Sequence, residues 1–481
     1  RPDISSFLFS GKRHNLLVQE FLERSAARTP DKIALICGNQ RFTYADIDKR
    51  ANRFATYLTQ MGVARGDRVA IYMQNSVEVV VSIFGTLKAG GVFVVLNSTT
   101  KNDKLVKILN NCQASGLVAN AKRPEFYQEL QKNVSSLRVL IHSDQVKDID
   151  DFDAANGLVN YSNVLKTDYQ QKPPNVNIDL DLACLVYTSG STGESKGVME
   201  DHSNVDFATS SIIEYLENTE DDVVLNCLPL SFDYGLYQLL MVFKFGGTLV
   251  LEKRFVFPAA ILKKLQDEKV TGFPGVPTIF TILLNTDLSK YDLSSLRFIT
   301  NTAAALPVSH IEQLREKFPE ANLYSMYGLT ETKRTLYLPP EELDRRPGSV
   351  GIAIPGTEVW LEDEAGQRLG SGEIGELVVR GRHVMRGYWQ SPELTAKRYR
   401  PGPLPNERVC YTDDLFRMDK EGFFYFVSRK DDIIKTRGEK VSPVELERVL
   451  YGIEHVAKVA VIGVPDEVLG EAIKAFLVCE E

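Results

Sequence analysis

Apolar positions along this chain recur in two alternating rhythms. In "IDKRANRFATYLTQMGV", Ile47, Ala51, Phe54 and Leu58 fall at helical spacing, with Thr43 and Asp46 as N-cap candidates and Gly62 as a plausible stop. "DRVAIYM" follows as a strand, "EVVVSIFGTLKAGG" as an apolar helix halted by Gly90 and Gly91, and "VFVVL" as the next strand. The rhythm returns through "LIHS", "LACLVY", "DVVLNCLPL", "GGTLVL" and "VTGFPGVP". Short, continuously apolar runs between amphipathic segments predict a layered α/β architecture with largely buried sheets.

After about residue 350 the texture changes. "GTEVWLEDEAGQRLGSGEIGELVVRG" has short strands, alternating polarity and closely spaced glycines, which predicts a smaller β-rich unit over about 350–430. In "SRKDDIIKTRGEKVSPVELERVL" another βα pattern begins, with Ser442 as N-cap and Pro443 at the first helical position. The expected division is a large N-terminal α/β core over 1–430 and a small α+β unit over 431–481.

At 481 residues the chain exceeds one simple domain, and 43% hydrophobic with 25% charged residues is an ordinary globular balance. A net charge of −8 disfavours a nucleic-acid partner. Neither a bilayer-length apolar run nor a signal-like segment in "RPDISSFLFSGKRHN" is present, and a start at Arg1 is read as a trimmed or partial chain. The six cysteines include no C-x-x-C pair, and the expectation is buried, reduced thiols suited to the cytoplasm. Six scattered histidines offer no zinc spacing.

Against this background "YTSGSTGESKG", Tyr187 to Gly197, stands out: eight of eleven residues are Gly, Ser or Thr, beside one lysine. Backbone N–H groups, hydroxyls and a cation suit a polyanion. A Walker loop is ruled out, because counting from Gly190 the sixth position is Ser195 and Gly197 follows Lys196. A flexible linker is disfavoured by the apolar strand that leads into it.

Several unlike segments then follow in order: "LPLSFDYG" from Leu228, "SMYGLTET" from Ser325, "GELVVRGRHVMRGYW" from Gly375, "YTDDL" from Tyr411 and "SRKDDIIKTRGEKVSPVELE" from Ser428. Together with the Ser/Gly loop and "LKAGGVFVVLN", they resemble the adenylate-forming superfamily: acyl-CoA synthetases, adenylation domains of nonribosomal peptide synthesis, and luciferases. The resemblance spans nearly the whole chain from about residue 20. It implies an enzyme that joins a carboxylate to the α-phosphate of ATP, releases pyrophosphate, and passes the acyl group to a phosphopantetheine thiol of a carrier protein or to CoA.

Residue by residue, the resemblance implies that Thr188, Ser189, Gly190, Ser191, Thr192, Gly193 and Lys196 grip the β- and γ-phosphates. Thr330 would donate to the α-phosphate, Glu331 would hold Mg²⁺, and Tyr327 would stack on adenine. Asp414 and Arg429 would bind the ribose, and Asp431 would be the hinge of a C-terminal lid. The family usually has glycine at the positions of Asp413 and Ser428. The lid is expected to be truncated, with the family's lid lysine beyond Glu481.

For the acid, Phe232, Asp233, Tyr234, Tyr237, Asn301, Met326 and Arg334, with Pro274 and Ile299, fall at pocket-lining positions. Asp233 matches the aspartate that pairs with a substrate ammonium in peptide-synthetase domains, and a buried acid needs such a cation. The competing reading is that Asp233 caps the helix beginning "YGLYQLLMVF". The reading taken from the sequence is an amino acid, with a non-amino carboxylic acid and a non-catalytic nucleotide-binding relative as the alternatives.

Overall fold

The computed structural model describes residues 17–121, 123–143, 158–169, 172–189, 195–302, 306–436, 439–453, 455–466 and 469–479. The segment around Arg1, and Gly190, Ser191, Thr192 and Gly193 of the phosphate-gripping reading, lie outside the described residues. The chain packs as two compact units. One comprises the described residues of Arg1–Ser210 with Thr219–Asp221 and Pro229–Lys253; the other comprises those of Ser211–Asn218, Asp222–Leu228 and Arg254–Glu481. The expected boundary near Lys430 thus falls inside the second unit.

The first unit is built on a seven-stranded sheet in the order Leu158–Asn160, Val139–His142, Ala114–Ala119, Arg68–Tyr72, Val92–Leu96, Leu182–Ser189, Ser195–Asp201. All neighbours are parallel except the last two, which form an antiparallel hairpin. Val92–Leu96 is buried at every position, as a central parallel strand covered on both faces must be. The helices Tyr44–Gln60 and Val77–Lys88 start where the sequence signals them. Thr43 Oγ1 accepts from the Asp46 N–H at 3.1 Å while the Asp46 carboxylate accepts from the Thr43 N–H at 3.0 Å, so both N-cap candidates act in one capping box. The first of these helices ends at Gln60, two residues before the expected stop at Gly62.

In the second unit, Val223–Asn226, Gly272–Gly275, Phe298–Asn301 and Asn322–Tyr327 run parallel, and Leu336–Leu338 and Ile352–Ala353 continue the sheet antiparallel. A β-rich part follows, in which Ile374–Arg380 lies between Glu358–Glu362 and the long strand Arg408–Met418. That long strand also pairs with Tyr399–Pro401 and Phe424–Arg429. Beyond it, Glu439–Val441, Ile434–Thr436, Gly470–Cys479 and Val456–Asp466 form a four-stranded sheet in that order. Ser442 caps the helix Pro443–Tyr451, its Oγ accepting from the Glu445 N–H at 3.2 Å. All six cysteines are free, and four are buried, but Cys37 is half-buried and Cys479 exposed. No helix among the described residues is long and apolar enough to cross a membrane.

His202 ties the first described helix to this core. Its Nδ1 accepts from the Val18 N–H at 3.0 Å, and the ring is fully buried. Burial pushes its pKa down from 6.5 to about 4, against the pull of Asp181 and Asp179. The unfolded chain therefore binds this proton at higher pH than the folded one, and folding stability falls as pH drops from about 6.5 to about 4. Replacing His202 by Asn, which keeps an acceptor for Val18, is expected to flatten that part of the pH profile in urea titrations between pH 7 and pH 4.

Candidate active site

Parallel strands gather their carboxyl-terminal residues at one edge, where α/β sheets place ligands. In the second unit Gly275, Asn301 and Ser325 stand in register across neighbouring strands. This brings Pro274, Ile299, Asn301 and Met326 together in one sheet; Asn301 and Met326 are buried. Met326 Sδ accepts from the Tyr215 hydroxyl at 3.0 Å, and Tyr215 in turn stacks on Tyr337 with centroids 4.2 Å apart. Arg334 is buried as well, with 3% of its surface exposed.

From Tyr327 the chain folds back on itself. The Thr335 N–H donates to the Tyr327 carbonyl at 2.9 Å, and Thr332 and Thr335 share a hydroxyl contact at 2.7 Å. A Cβ at Gly328 would stand 1.6 Å from the Lys333 carbonyl oxygen, so only glycine fits there. This tight loop carries Thr330 and Glu331, both partly exposed. The Tyr388 hydroxyl donates to Glu331 Oε1 at 2.6 Å, and the Met385 N–H donates to the Glu331 carbonyl at 3.0 Å. Burial, then the Glu331 carboxylate, pushes the Tyr388 phenol well above its ordinary range.

Asp414 is the most constrained carboxylate of the set, with 3% of its surface exposed. Its Oδ2 accepts from the Tyr327 hydroxyl at 2.6 Å. Its Oδ1 has no hydrogen-bond partner, and the Arg429 Nε stands 3.5 Å away as an ion pair without hydrogen-bond geometry. Asp414 and Arg429 face each other across an antiparallel pair, which explains how residues fifteen apart meet. Burial raises the Asp414 pKa above the usual carboxylate value, against the lowering effects of the Tyr327 hydroxyl, Arg429 and Arg398. The Tyr327 ring packs edge-to-face on Phe416 at 4.8 Å and lies 6.5 Å from Phe426.

In the first unit Thr188 and Lys196 are cross-strand partners, as are Ser189 and Ser195, so the residues flanking the Ser/Gly segment stand side by side. Lys196 is half-buried on the return strand. Asp233 does not cap its helix in the expected way. The helix is Asp233–Phe245 with Phe232 at the N-cap, and Asp233 is its first residue. Its Oδ1 accepts from the Tyr234 N–H at 2.8 Å, a favourable place for a carboxylate at a helix N-terminus. Phe232 is 52% exposed. Tyr234 is buried, and Tyr237 is fully buried with its hydroxyl donating to Glu200 at 3.2 Å. Burial, then Glu200, pushes the Tyr237 phenol far above its ordinary value.

The motif reading missed three groups beside these residues. Tyr388 lies in a quoted motif, but its contact with Glu331 depends on the loop between them. Glu376 accepts from both the Asp413 N–H at 2.9 Å and Lys430 Nζ at 2.6 Å. Arg398, at the end of the helix Pro392–Arg398, pairs with Asp413 at 2.5 Å and carries no sequence signal of its own. Among the described residues no group of three or more His, Cys, Asp or Glu stands together as a metal cage.

Replacing Tyr327 by Phe removes the donor to a buried carboxylate and is expected to cost about 1–2 kcal/mol in chemical denaturation. The loss should be larger at pH 7 than at pH 4, because protonation of Asp414 removes the charge that needed the donor.

The family model described as AMP-binding enzyme matches residues 22–389, and that of the AMP-binding enzyme C-terminal domain matches 445–481. A long-chain-fatty-acid–CoA ligase of Bacillus subtilis is 33% identical over 97% of this chain and 86% of its own length. Gramicidin S synthase 2 of Brevibacillus brevis is 28% identical over 97% of this chain, which corresponds to 10% of that protein. Among solved structures, ATP-bound MatB from Rhodopseudomonas palustris superposes with a TM-score of 0.84 at 27% identity, over 97% of this chain and 89% of its own. The chain belongs to the AMP-binding enzyme family, the AMP-forming ligases that use ATP to turn a carboxylate into an acyl adenylate.

Proposed function

We propose that the chain is an acid–thiol ligase that activates a non-amino carboxylic acid with MgATP and transfers the acyl group to CoA. The observation that carries the nucleotide part of this reading is Asp414. A buried carboxylate oxygen without a hydrogen bond is costly, and a vicinal diol supplies the two donors one carboxylate accepts well. Asp414 with Arg429 is accordingly read as the ribose site, and Tyr327 as both the adenine neighbour and the donor that fixes Asp414.

Glu331 suits Mg²⁺ on its chemistry. Tyr388 occupies Oε1 and orients the carboxylate, and Mg²⁺ keeps several waters and needs few protein carboxylates besides phosphate oxygens. When bound, the metal supplies charge that offsets the repulsion between a carboxylate and a polyphosphate. Thr330 is read as a donor to the α-phosphate. In the first unit Thr188, Ser189 and Lys196, with Gly190, Ser191, Thr192 and Gly193, are read as the grip on the leaving pyrophosphate. Lys196 supplies the charge, and a glycine-rich segment is suited to supply N–H donors. The lid reading for 431–481 and its hinge at Asp431 belong to the same proposal. Six free thiols suit a reducing compartment such as the cytoplasm.

The CoA reading is supported by the fatty-acid ligase, which this chain matches along most of its length. A second reading, activation of an amino acid for transfer to a carrier-protein phosphopantetheine, is favoured by Asp233 and by the gramicidin synthase match. Against it, the Asp233 carboxylate is already stabilised by its own helix terminus.

Substrate-dependent ATP–pyrophosphate exchange decides between them, run with the twenty amino acids and with fatty and aryl acids. Exchange with a fatty or aryl acid, undiminished in Asp233→Ala, is the expected result. Exchange with one amino acid only, lost in Asp233→Ala, would replace it by the second reading. In either case Asp414→Asn is expected to weaken ATP binding at least tenfold by calorimetry.

A further inference from the structure

Glu376 is an acid that the nucleotide reading leaves unused, and it is buried, with 4% of its surface exposed. A carboxylate taken out of water needs donors or a counter-charge for its oxygens. Glu376 has one of each: its Oε1 accepts from the Asp413 N–H at 2.9 Å, and its Oε2 accepts from Lys430 Nζ at 2.6 Å. These partners adjoin the two residues read as the ribose site. Asp413 precedes Asp414, and Lys430 follows Arg429.

The long strand needs support at this point. It pairs with Ile374–Arg380 through Leu415 and Glu376, and next through Tyr411 and Val378, so Thr412, Asp413 and Asp414 stand together opposite Leu377. Such a bulge disrupts the ladder locally and re-aims side chains. Asp413 takes a left-handed φ of +55° there, a conformation that glycine adopts without steric penalty and other residues do not. The bulge N–H groups end on side chains, that of Asp413 on Glu376 and that of Asp414 on Thr412 Oγ1 at 3.2 Å. On the other side Asp414 faces Arg429 in the pairing with Phe424–Arg429, whose register also shifts, between Leu415 and Phe416. Irregular pairing on both sides leaves the spacing of Asp414 and Arg429 to side chains, and Glu376 reaches the neighbour of each.

We propose that Glu376 is a positioning residue for the ribose pair: one oxygen holds the bulge before Asp414, the other holds Lys430 after Arg429, and together they set where the carboxylate and the guanidinium meet the sugar. The inference rests on the reading of Asp414 with Arg429 as the ribose site. Glu376 acts through the neighbours of that pair, so its loss is felt at the ribose hydroxyls and not at the base or the phosphates.

The test is calorimetry on the full chain with two probes, ATP and 2′,3′-dideoxy-ATP, each with magnesium chloride. The parent protein is expected to prefer ATP, because the dideoxy sugar brings the Asp414 carboxylate no hydroxyl donors. Glu376→Gln keeps an acceptor for the Asp413 N–H and turns an amide toward Lys430. It should weaken ATP binding about fivefold, on the scale of coupling between residues in contact, and leave dideoxy-ATP binding unchanged. Lys430→Met cuts the same link from the other end and should narrow the preference likewise, whereas Lys430→Arg, which keeps the cation, should preserve it. The Lys430 side chain is 37% exposed, so Lys430→Met decides the matter even where Glu376→Gln does not fold. Equal losses for both probes would make Glu376 a structural residue only, and unchanged binding of both would mean that the ribose pair is placed without it; either result overturns the positioning role. Asp414→Asn tells that failure from failure of the ribose reading. If Asp414→Asn abolishes the preference for ATP while the Glu376→Gln and Lys430→Met variants retain it, the role of Glu376 falls and the ribose reading stands. If Asp414→Asn keeps the preference, the ribose reading falls and the role of Glu376 falls with it.

Discussion

A carboxylate with 3% of its surface exposed has to be met by a donor or a counter-charge, and at Asp414 the donor and the cation come from separate parts of the chain. Tyr327 arrives from the last parallel strand of the second unit's sheet, and Arg429 from the strand antiparallel to Asp414's own. Thr412, two residues upstream, receives the Asp414 N–H at 3.2 Å and donates to the Leu377 carbonyl at 2.8 Å, tying the same spot to a third strand. One buried charge therefore fixes the position of the β-rich part against the sheet that ends in Tyr327. A slip of one residue in the long strand would turn Asp414 away from Arg429.

Two backbone features stand close to that charge. Gly328 is required because the loop it opens returns within van der Waals reach, and Asp413 sits left-handed beside Asp414. Gly328 lies in the loop after Tyr327, whereas Asp413 lies within the strand Arg408–Met418, where its pairing with Ile374–Arg380 shifts register. The loop after Tyr327 brings Glu331 to Tyr388 from far along the chain.

The helix Asp233–Phe245 follows a different logic. Tyr237 and Glu200 form a buried polar pair, and Asp233 lies in the first turn of its helix with its charge already placed. Burial of Tyr234 and Tyr237 comes from the helix Asp233–Phe245, which is almost entirely buried and so holds these side chains rigidly.

Local rules carried much of this into the sequence. The capping box at Thr43 and Asp46, the Ser442–Pro443 helix start and the fully apolar strand Val92–Leu96 are short-range features, each set by residues within a few positions. The motifs named Asp414, Glu331 and Lys196 because their chemistry demands fixed residue types at fixed spacing. Strand pairing and loop return are long-range, and there the sequence alone was silent. Nothing near Arg398 announces Asp413, nothing near Tyr388 announces Glu331, and the first-turn place of Asp233 appears only once the helix has a defined start. Tertiary structure decided these because an ion pair or a hydrogen bond depends on distance in space, and the chain sets that distance through sheet register and not through sequence separation.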